Sequence, residues 1–453
     1  MKEGRILLKF IRRPECISYL LKKRFTNLSN NQFVRSALTM LSGTVIAQII
    51  AMAFSPVISR IYGPEAFGVF GVFTSIVASV GPVAALTYPI AIVLPKEDSE
   101  ANALFRLSLL VSLITFLLMA LTITFYGNSI LAILQVDVLM PYLMFIPLMV
   151  LFDGSFQASQ QWMIRKKKFK FSAKAAILQG IVVNVTKAVI GFFFPLSISL
   201  VAITTLGKGL YASLLAYGTG ITFNLKLFAE SFNKKELLSF IRLGKKYYDF
   251  PIYRTPQVFI NGASEGLPVI MLSIFFGPAT AGFYSLSKKV LVMPTQLIEQ
   301  SVGNVFYPRV TEAAYNGENI TKLLIKASLS LAALGLIPFG IVILFGPQLF
   351  SIVFGANWAS AGEYARWLSL WSYFKFITKP SIKTLPVLKA QRFHLVFTIF
   401  SILVRLCALI IGSYIFKSDV ISVALYGTTG AIMYIILTLV TILKSTPKYT
   451  RYL

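Results

Sequence analysis

Histidine occurs once in this chain of 453 residues, at His394, and cysteine twice, at Cys16 and Cys407. The two cysteines lie far apart with no CxxC or Cys/His ligand spacing, so neither a disulfide framework nor a metal site is supported. One histidine leaves nothing for a His-based catalytic group. Acidic residues are scarce, 17 against 43 Lys and Arg, and charged residues make up only 13 % of the chain. A soluble domain carries about 25 %. No phosphate cradle of the Walker type is present, which argues against intrinsic ATP hydrolysis, and no cofactor is expected.

What the chain has instead is apolar surface: 56 % hydrophobic residues, 14 % aromatic, and a mean hydropathy of +0.74. Apolar runs of about 20 residues, long enough to cross a bilayer, follow one another with short breaks. The spacing predicts twelve crossings, at 33–59, 64–94, 101–126, 138–162, 171–194, 197–219, 247–276, 279–308, 322–345, 361–387, 393–416 and 421–443. The expected fold is an all-α integral membrane protein of about twelve transmembrane helices.

An internal repeat organises those crossings. Arg60 to Ile76 reads RIYGPEAFGVFGVFTSI and Ile274 to Val290 reads IFFGPATAGFYSLSKKV. Gly63 matches Gly277, Pro64 matches Pro278, Gly68 matches Gly282 and Phe70 matches Tyr284, all at one separation. In each copy an apolar segment turns at Gly-Pro into the next. A weaker echo sets Ile164-Arg165-Lys166-Lys167-Lys168-Phe169 beside Leu388-Lys389-Ala390-Gln391-Arg392-Phe393. Six crossings per copy is even, so the two bundles share one orientation. The expected organisation is a basic cytoplasmic tail (1–32), a six-helix bundle (33–219), a cytoplasmic linker (220–246), a second six-helix bundle (247–443) and a short cytoplasmic tail (444–453).

The connections after even-numbered crossings carry the cations, among them Lys96, Arg165 to Lys168, Lys234, Lys235, Arg242, Lys245, Lys246, Arg309, Lys389 and Arg392. The odd connections offer only Arg60, Arg366 and Lys417. By the positive-inside rule both termini and all even connections are cytoplasmic. This placement absorbs most of the formal charge of +26. Basic loops beside an anionic leaflet need no nucleic acid partner. The tail 1–32 has no uninterrupted apolar core before a small-residue cleavage site, so it is not read as a signal peptide.

Several charges fall inside predicted crossings: Asp153, Lys187, Lys208, Arg254, Glu265, Lys288, Lys289, Glu299, Lys375, Lys379 and Arg405. On the insertion scale Arg, Lys or Asp costs roughly 2.5–3.5 kcal/mol at mid-helix, so such residues are expected to face a polar interior. Lys375, Lys379 and Lys383, spaced four apart, are expected to share one stripe of a helix. The eight cations Lys187, Lys208, Arg254, Lys288, Lys289, Lys375, Lys379 and Arg405 outnumber the acids, and surplus positive charge in a membrane cavity implies an anionic ligand. Asp153, Glu265 and Glu299 are assigned salt bridges to nearby cations, with proton or sodium coupling as the alternative. Segment 7 holds Pro251, Pro256 and Pro268, so a bend is expected there.

The order of segments, the run from Ser59 to Gly68 (SRIYGPEAFG), its Gly277-Pro278 echo and the stretch from Gln161 to Lys166 (QWMIRK) together resemble the Wzx-type polysaccharide repeat-unit flippases. These form the polysaccharide transporter branch of the multidrug/oligosaccharidyl-lipid/polysaccharide exporter superfamily. The resemblance spans Phe33 to Lys444. It implies a bacterial inner-membrane protein in which two bundles enclose a cationic cavity. Such a protein flips undecaprenyl-pyrophosphate-linked oligosaccharide to the periplasmic leaflet by alternating access, driven by an ion gradient. The lipid-linked glycan, the bilayer, and a polysaccharide polymerase with its chain-length regulator are the partners expected on that reading.

Two rivals stand beside it. A drug or cation exporter of the same superfamily should carry an acidic cavity, against the basic surplus here. A membrane-embedded polymerase, ligase or glycosyltransferase needs acids or bases on a sizeable outer loop. The largest expected outer connection, Phe345 to Ala361, has none.

Overall fold

A computed structural model describes residues 32–220 and 234–446, without the side chains of 32–42, 134, 234–237, 294 and 297–305. The basic tail before Gln32 and the middle of the linker therefore lie outside the described residues. The chain is helical from end to end of what is described: α1 (Gln32–Val80), α2 (Asp98–Leu134), α3 (Phe145–Arg165), α4 (Phe169–Phe193), α5 (Ser197–Thr219), α6 (Lys234–Lys246), α7 (Thr255–Phe276), α8 (Pro278–Tyr315), α9 (Ile320–Phe354), α10 (Ala359–Ile377), α11 (Lys379–Thr384), α12 (Gln391–Tyr414) and α13 (Asp419–Lys444). Helix α1 is two arms, because Gly63 breaks it with a left-handed φ of 68°. Counting those arms separately and setting aside the short α6 and α11, twelve crossing helices remain among the described residues, six on each side of the linker.

Eight spans in this set are long and apolar enough to cross a membrane, the first of them covering both arms of α1. The three helices that fall short are α3, α8 and α10, and they carry Asp153, Lys288, Lys289 and Lys375. Their polarity has a place to go, since each is packed among its neighbours. Large apolar side chains such as Phe125, Ile133, Phe192, Leu336 and Ile337 point outward instead. Exposed apolar surface on that scale is what lipid requires.

The repeat makes the central crossing. Gly277, at φ 90°, ends α7 as Gly63 ends the first arm of α1, and Pro64 and Pro278 each open the following helix. Only glycine takes such a φ without strain, and proline at the first helical position loses no hydrogen bond. The second arm of α1 then lies against α7 and α8, while its first arm lies against α4. A core running through Val72, Phe73, Tyr284, Leu368, Trp371 and Tyr426 ties the two sides together.

Several expected boundaries shift. The second crossing is α-helical only to Val80 and then tightens into 3-10 turns at Gly81–Val83 and Tyr88–Val93. Pro82 and Pro89 remove the donors that a longer α-helix would need. The outer connection expected at Phe345 to Ala361 is mostly helix: α9 bends at Phe345, two residues before Pro347, and continues to Phe354. The tenth crossing is broken. Pro380 has no N–H to donate to the Phe376 carbonyl, so α10 stops at Ile377 and α11 starts afresh at Lys379. Lys375 therefore does not share an unbroken helical stripe with Lys379 and Lys383. Segment 7 starts with a wide helical turn at Phe250–Arg254 that contains Pro251.

The weaker echo also holds a geometry. After α3 the chain turns through Lys167, at φ 54°, and after α11 it turns through Lys389, at φ 52°. The equivalent lysines are Lys167 and Lys389, two positions away from the pairing that residue identity suggests. Arg165 is structural: its Nη1 donates to the Pro95 carbonyl at 2.6 Å and its Nε to Asp98 at 3.0 Å.

Candidate functional site: cations between the helices

Each α-helical residue advances about 1.5 Å, so Lys288 and Lys289 lie roughly 15 Å from the start of α8, half the thickness of a hydrocarbon core of about 30 Å. Lys208 on α5 and Arg405 on α12 are similarly far from both ends of their helices. At that depth a charge must be paired, stacked on an aromatic ring, or solvated in a cavity.

The acids take two of these cations. Lys208 Nζ lies 2.6 Å from Asp153 Oδ1 and also 3.9 Å from the centre of the Phe156 ring. Lys288 Nζ lies 2.7 Å from Glu265 Oε2 and donates to the Glu265 carbonyl at 2.8 Å. Among the described residues each six-helix set thus holds one acid-lysine pair at mid-membrane depth joining two of its own helices, α3 to α5 and α7 to α8. Glu299 lies among the residues whose side chains are not described.

The remaining cations gather in two places. Lys187 on α4 sits over the Phe70 ring at 4.9 Å and within electrostatic reach of Lys289 on α8. These two lysines come from opposite six-helix sets and, among the described residues, have no acid in common. Lys375, Arg405 and the Glu265–Lys288 pair form the second group. Lys375 Nζ is 5.2 Å from the Trp371 ring centre and within electrostatic reach of Glu265. Arg405 is buried against Trp371 and Tyr426, its guanidinium carbon 4.2 Å from each ring centre, and its Nη2 donates to the Tyr426 hydroxyl. Favourable cation-π contacts of this kind partly replace lost hydration.

Two expected site residues stand apart. Arg254 is exposed in the wide turn before α7, where its Nη1 donates to Gln257 at 3.0 Å. The helix begins later than expected, so Arg254 lies at its end and not within it. Lys379 is half-buried at the start of α11, beyond the break that separates it from Lys375.

The aromatic partners Trp371, Tyr426 and Tyr434 were not singled out by sequence reasoning, and Tyr284 only as the repeat position matching Phe70. Aromatic residues are too common in this chain to signal a site, and Tyr426 meets Arg405 only through the packing of α13 on α12. His394, set aside for want of companions, lines a cavity of about 250 Å³ together with Glu265, Arg405, Tyr426 and Tyr434. No cluster of side chains suited to holding a metal ion is found among the described residues.

On the closed face, at the Gly63 and Gly277 ends of the helices, the two sets are joined directly. Trp358 Nε1 donates to the Ser59 carbonyl at 3.1 Å, and Arg60 Nη2 donates to the Ile352 carbonyl at 2.6 Å. Phe67 and Phe283 meet the Trp358 ring edge to face, with centroids 5.3 and 6.0 Å away.

This architecture is shared with known transporters. The chain matches the inward-facing conformation of a multidrug resistance MATE family transporter of the MOP superfamily with a TM-score of 0.68, at 15 % identity, over 92 % of this chain and 99 % of that one. The lipid II flippase MurJ in an inward closed conformation matches with a TM-score of 0.64, at 14 % identity, over 90 % of each chain. Among curated proteins, the succinoglycan biosynthesis transport protein ExoT of Rhizobium meliloti (strain 1021) is 23 % identical over 343 residues, 74 % of this chain and 64 % of that protein's length. These likenesses show that the chain has the fold of those multi-pass membrane proteins. The family model for polysaccharide biosynthesis proteins matches residues 57–363, more than half of the sequence, and the chain belongs to that family.

Proposed function

We propose that this protein flips undecaprenyl-pyrophosphate-linked oligosaccharide repeat units from the cytoplasmic to the periplasmic leaflet of a bacterial inner membrane, for cell-surface polysaccharide synthesis. The observation that carries the reading is the surplus of intramembrane cations. Lys187 and Lys289 lie within electrostatic reach of each other from opposite sets with no acid between them among the described residues, and Lys375 and Arg405 add to a Glu265 already paired with Lys288. A dianionic pyrophosphate matches that surplus, whereas a cationic drug would meet it with repulsion. The curated relative is named as a transport protein of polysaccharide synthesis, which fits the same substrate class.

On this reading the two bundles run over 33–219 and 247–443 and re-orient about the crossing at Gly68 and Gly282. The pyrophosphate sits between Lys187 and Lys289, and the lipid tail stays in the bilayer. Both termini and the basic connections face the cytoplasm, with a polymerase and its chain-length regulator as partners on the far side. The wide turn at Phe250–Arg254 joins the linker to the second bundle. A proton or sodium gradient supplies the drive, with Asp153–Lys208 and Glu265–Lys288 as the pairs whose breaking and re-forming would couple to it. Differential affinity of the ligand for the two orientations is what shifts their balance.

The test is transfer of a labelled undecaprenyl-pyrophosphate oligosaccharide across proteoliposomes. Native protein is expected to transfer it, and Lys187→Gln with Lys289→Gln to abolish transfer while remaining folded. Efflux of organic cations without lipid transfer would replace this reading with that of a drug exporter.

A further inference from the structure

Arg405 holds a feature that charge alone does not explain. Its side chain is 92 % buried by the complement of its 8 % exposure, and its Nε hydrogen has no acceptor. Nη2 is taken by the Tyr426 hydroxyl, and the Trp371 and Tyr426 rings fix the guanidinium in place. A buried donor left without a partner costs on the order of 1–3 kcal/mol, more for a charged group. The residue lines the 250 Å³ cavity enclosed by α7, α12 and α13, whose other polar lining includes Asn261, Ser264, Thr398 and Ser401. The single acid of that lining, Glu265, is held by Lys288 and lies within reach of Lys375. One acid against three cations leaves the neighbourhood positive.

We propose that this cavity, inside the second six-helix set and apart from the Lys187–Lys289 position, is an oxyanion subsite that takes one phosphate or carboxylate group on the edge of the Arg405 guanidinium. A guanidinium whose orientation is fixed by its packing presents in-plane N–H donors, a geometry suited to an oxyanion. Asn261 and Ser401 supply the neutral donors that complete such a shell, the Ser264 and Thr398 hydroxyls already donating to the Ile260 and His394 carbonyls. The cavity is smaller than the roughly 300–1,000 Å³ of drug-sized pockets. It suits a single charged group or one sugar ring and not a whole repeat unit. The subsite deepens the transport reading above and rests on it for its biological ligand, which is either the phosphate end of the lipid or an acidic sugar of the glycan.

The experiment uses full-length protein in nanodiscs, titrated by calorimetry with inorganic pyrophosphate and, separately, with glucuronate. Native protein is expected to bind at least one probe. Arg405→Gln is expected to weaken that binding about tenfold or more, and Arg405→Lys to fail to restore it, since an ammonium lacks the planar fork. Ser401→Phe fills the cavity with Arg405 left in place and is expected to give the same loss, which answers the case of an arginine variant that does not fold. Preference for pyrophosphate assigns the subsite to the lipid phosphate, and preference for glucuronate assigns it to an acidic sugar. Absence of binding to the native protein, or unchanged binding in both Arg405→Gln and Ser401→Phe, overturns the proposal. Lipid transfer is scored in parallel. Arg405-dependent binding without native transfer would sink the flippase reading alone, and transfer with Arg405-independent binding would sink the subsite alone.

Discussion

Gly68 and Gly282 close on each other reciprocally. A Cβ built on Gly68 would overlap the Pro278 carbonyl, and one built on Gly282 would overlap the Pro64 carbonyl. The two copies of the repeat are therefore the contact surface between the two six-helix sets, each presenting its glycine to the other's Gly-Pro turn. Without a hydrophobic force between helices in lipid, such close backbone approach is what holds them. Gly68→Ala and Gly282→Ala are each expected to cost roughly 1–3 kcal/mol or more, the range for overpacking, because backbone and not a flexible side chain must move. Gly340→Ala, where an added Cβ meets nothing within 4 Å, serves as the control and should be neutral or slightly stabilising. Thermal unfolding in detergent compares the three.

The pair Asp153–Lys208 lends itself to a double-mutant cycle. Both side chains are largely buried, 14 % and 23 % exposed, at mid-depth in the first six-helix set. Removing one partner strands the other charge. Asp153→Leu or Lys208→Met alone should cost about 3–5 kcal/mol, and the double variant should cost less than either. If the two losses simply add, the pair is not an interacting unit and its role as a structural bridge fails.

Outside the membrane, Arg309 and Glu318 make a measurable pH signature. Arg309 Nη2 lies 2.5 Å from Glu318 Oε2, and this hydrogen bond holds the Glu318 carboxyl below its ordinary value. A carboxyl depressed in the folded state contributes stability above its unfolded pKa of about 4.3 and loses it as pH falls through the lower, folded value. The effect is small, because both groups are exposed. The melting temperature of native protein should exceed that of Glu318→Gln near neutral pH, and the difference should vanish below the carboxylate range. A difference that persists in acid would assign the loss to packing.

How much of this was legible in the sequence depends on the distance over which each feature is encoded. The Gly63 and Gly277 turns, the order of crossings and the mid-helix charges are local patterns, readable from spacing and composition. Pro380 was equally visible, but whether a proline bends a crossing or ends it is decided by neighbours, and here α10 stops before it. The helix across Pro347 was missed for the mirror reason: the crossing was expected to end at Phe345, while packing of α9 on α10 kept the chain helical beyond it. The partners of Arg405 were out of reach altogether. Trp371 and Tyr426 come from two other helices, and nothing in their local sequence marks them.

Trp358 gives the last prediction, and the one closest to transport. Its indole nitrogen donates to the Ser59 carbonyl from the opposite six-helix set, and Phe67 and Phe283 pack edge-on against its ring. Edge-to-face aromatic pairs contribute about 0.5–1.5 kcal/mol each beyond the area they bury. Together with the Arg60–Ile352 hydrogen bond they hold this face closed. Opening it requires Trp358 to leave Ser59, so Trp358→Ala should shift the population toward an open face by a factor of ten or so, as a loss of about 1.4 kcal/mol implies. Trp358→Phe, which keeps a ring and loses only the N–H, should shift it less. The readout is labelling by a membrane-impermeant thiol reagent of a cysteine placed at the fully buried Ser59, whose backbone carbonyl is kept, in a background lacking Cys16 and Cys407. Faster labelling in Trp358→Ala than in Trp358→Phe, and in both than in native protein, is the expected order. Equal rates in all three would mean that the indole does not hold this face shut.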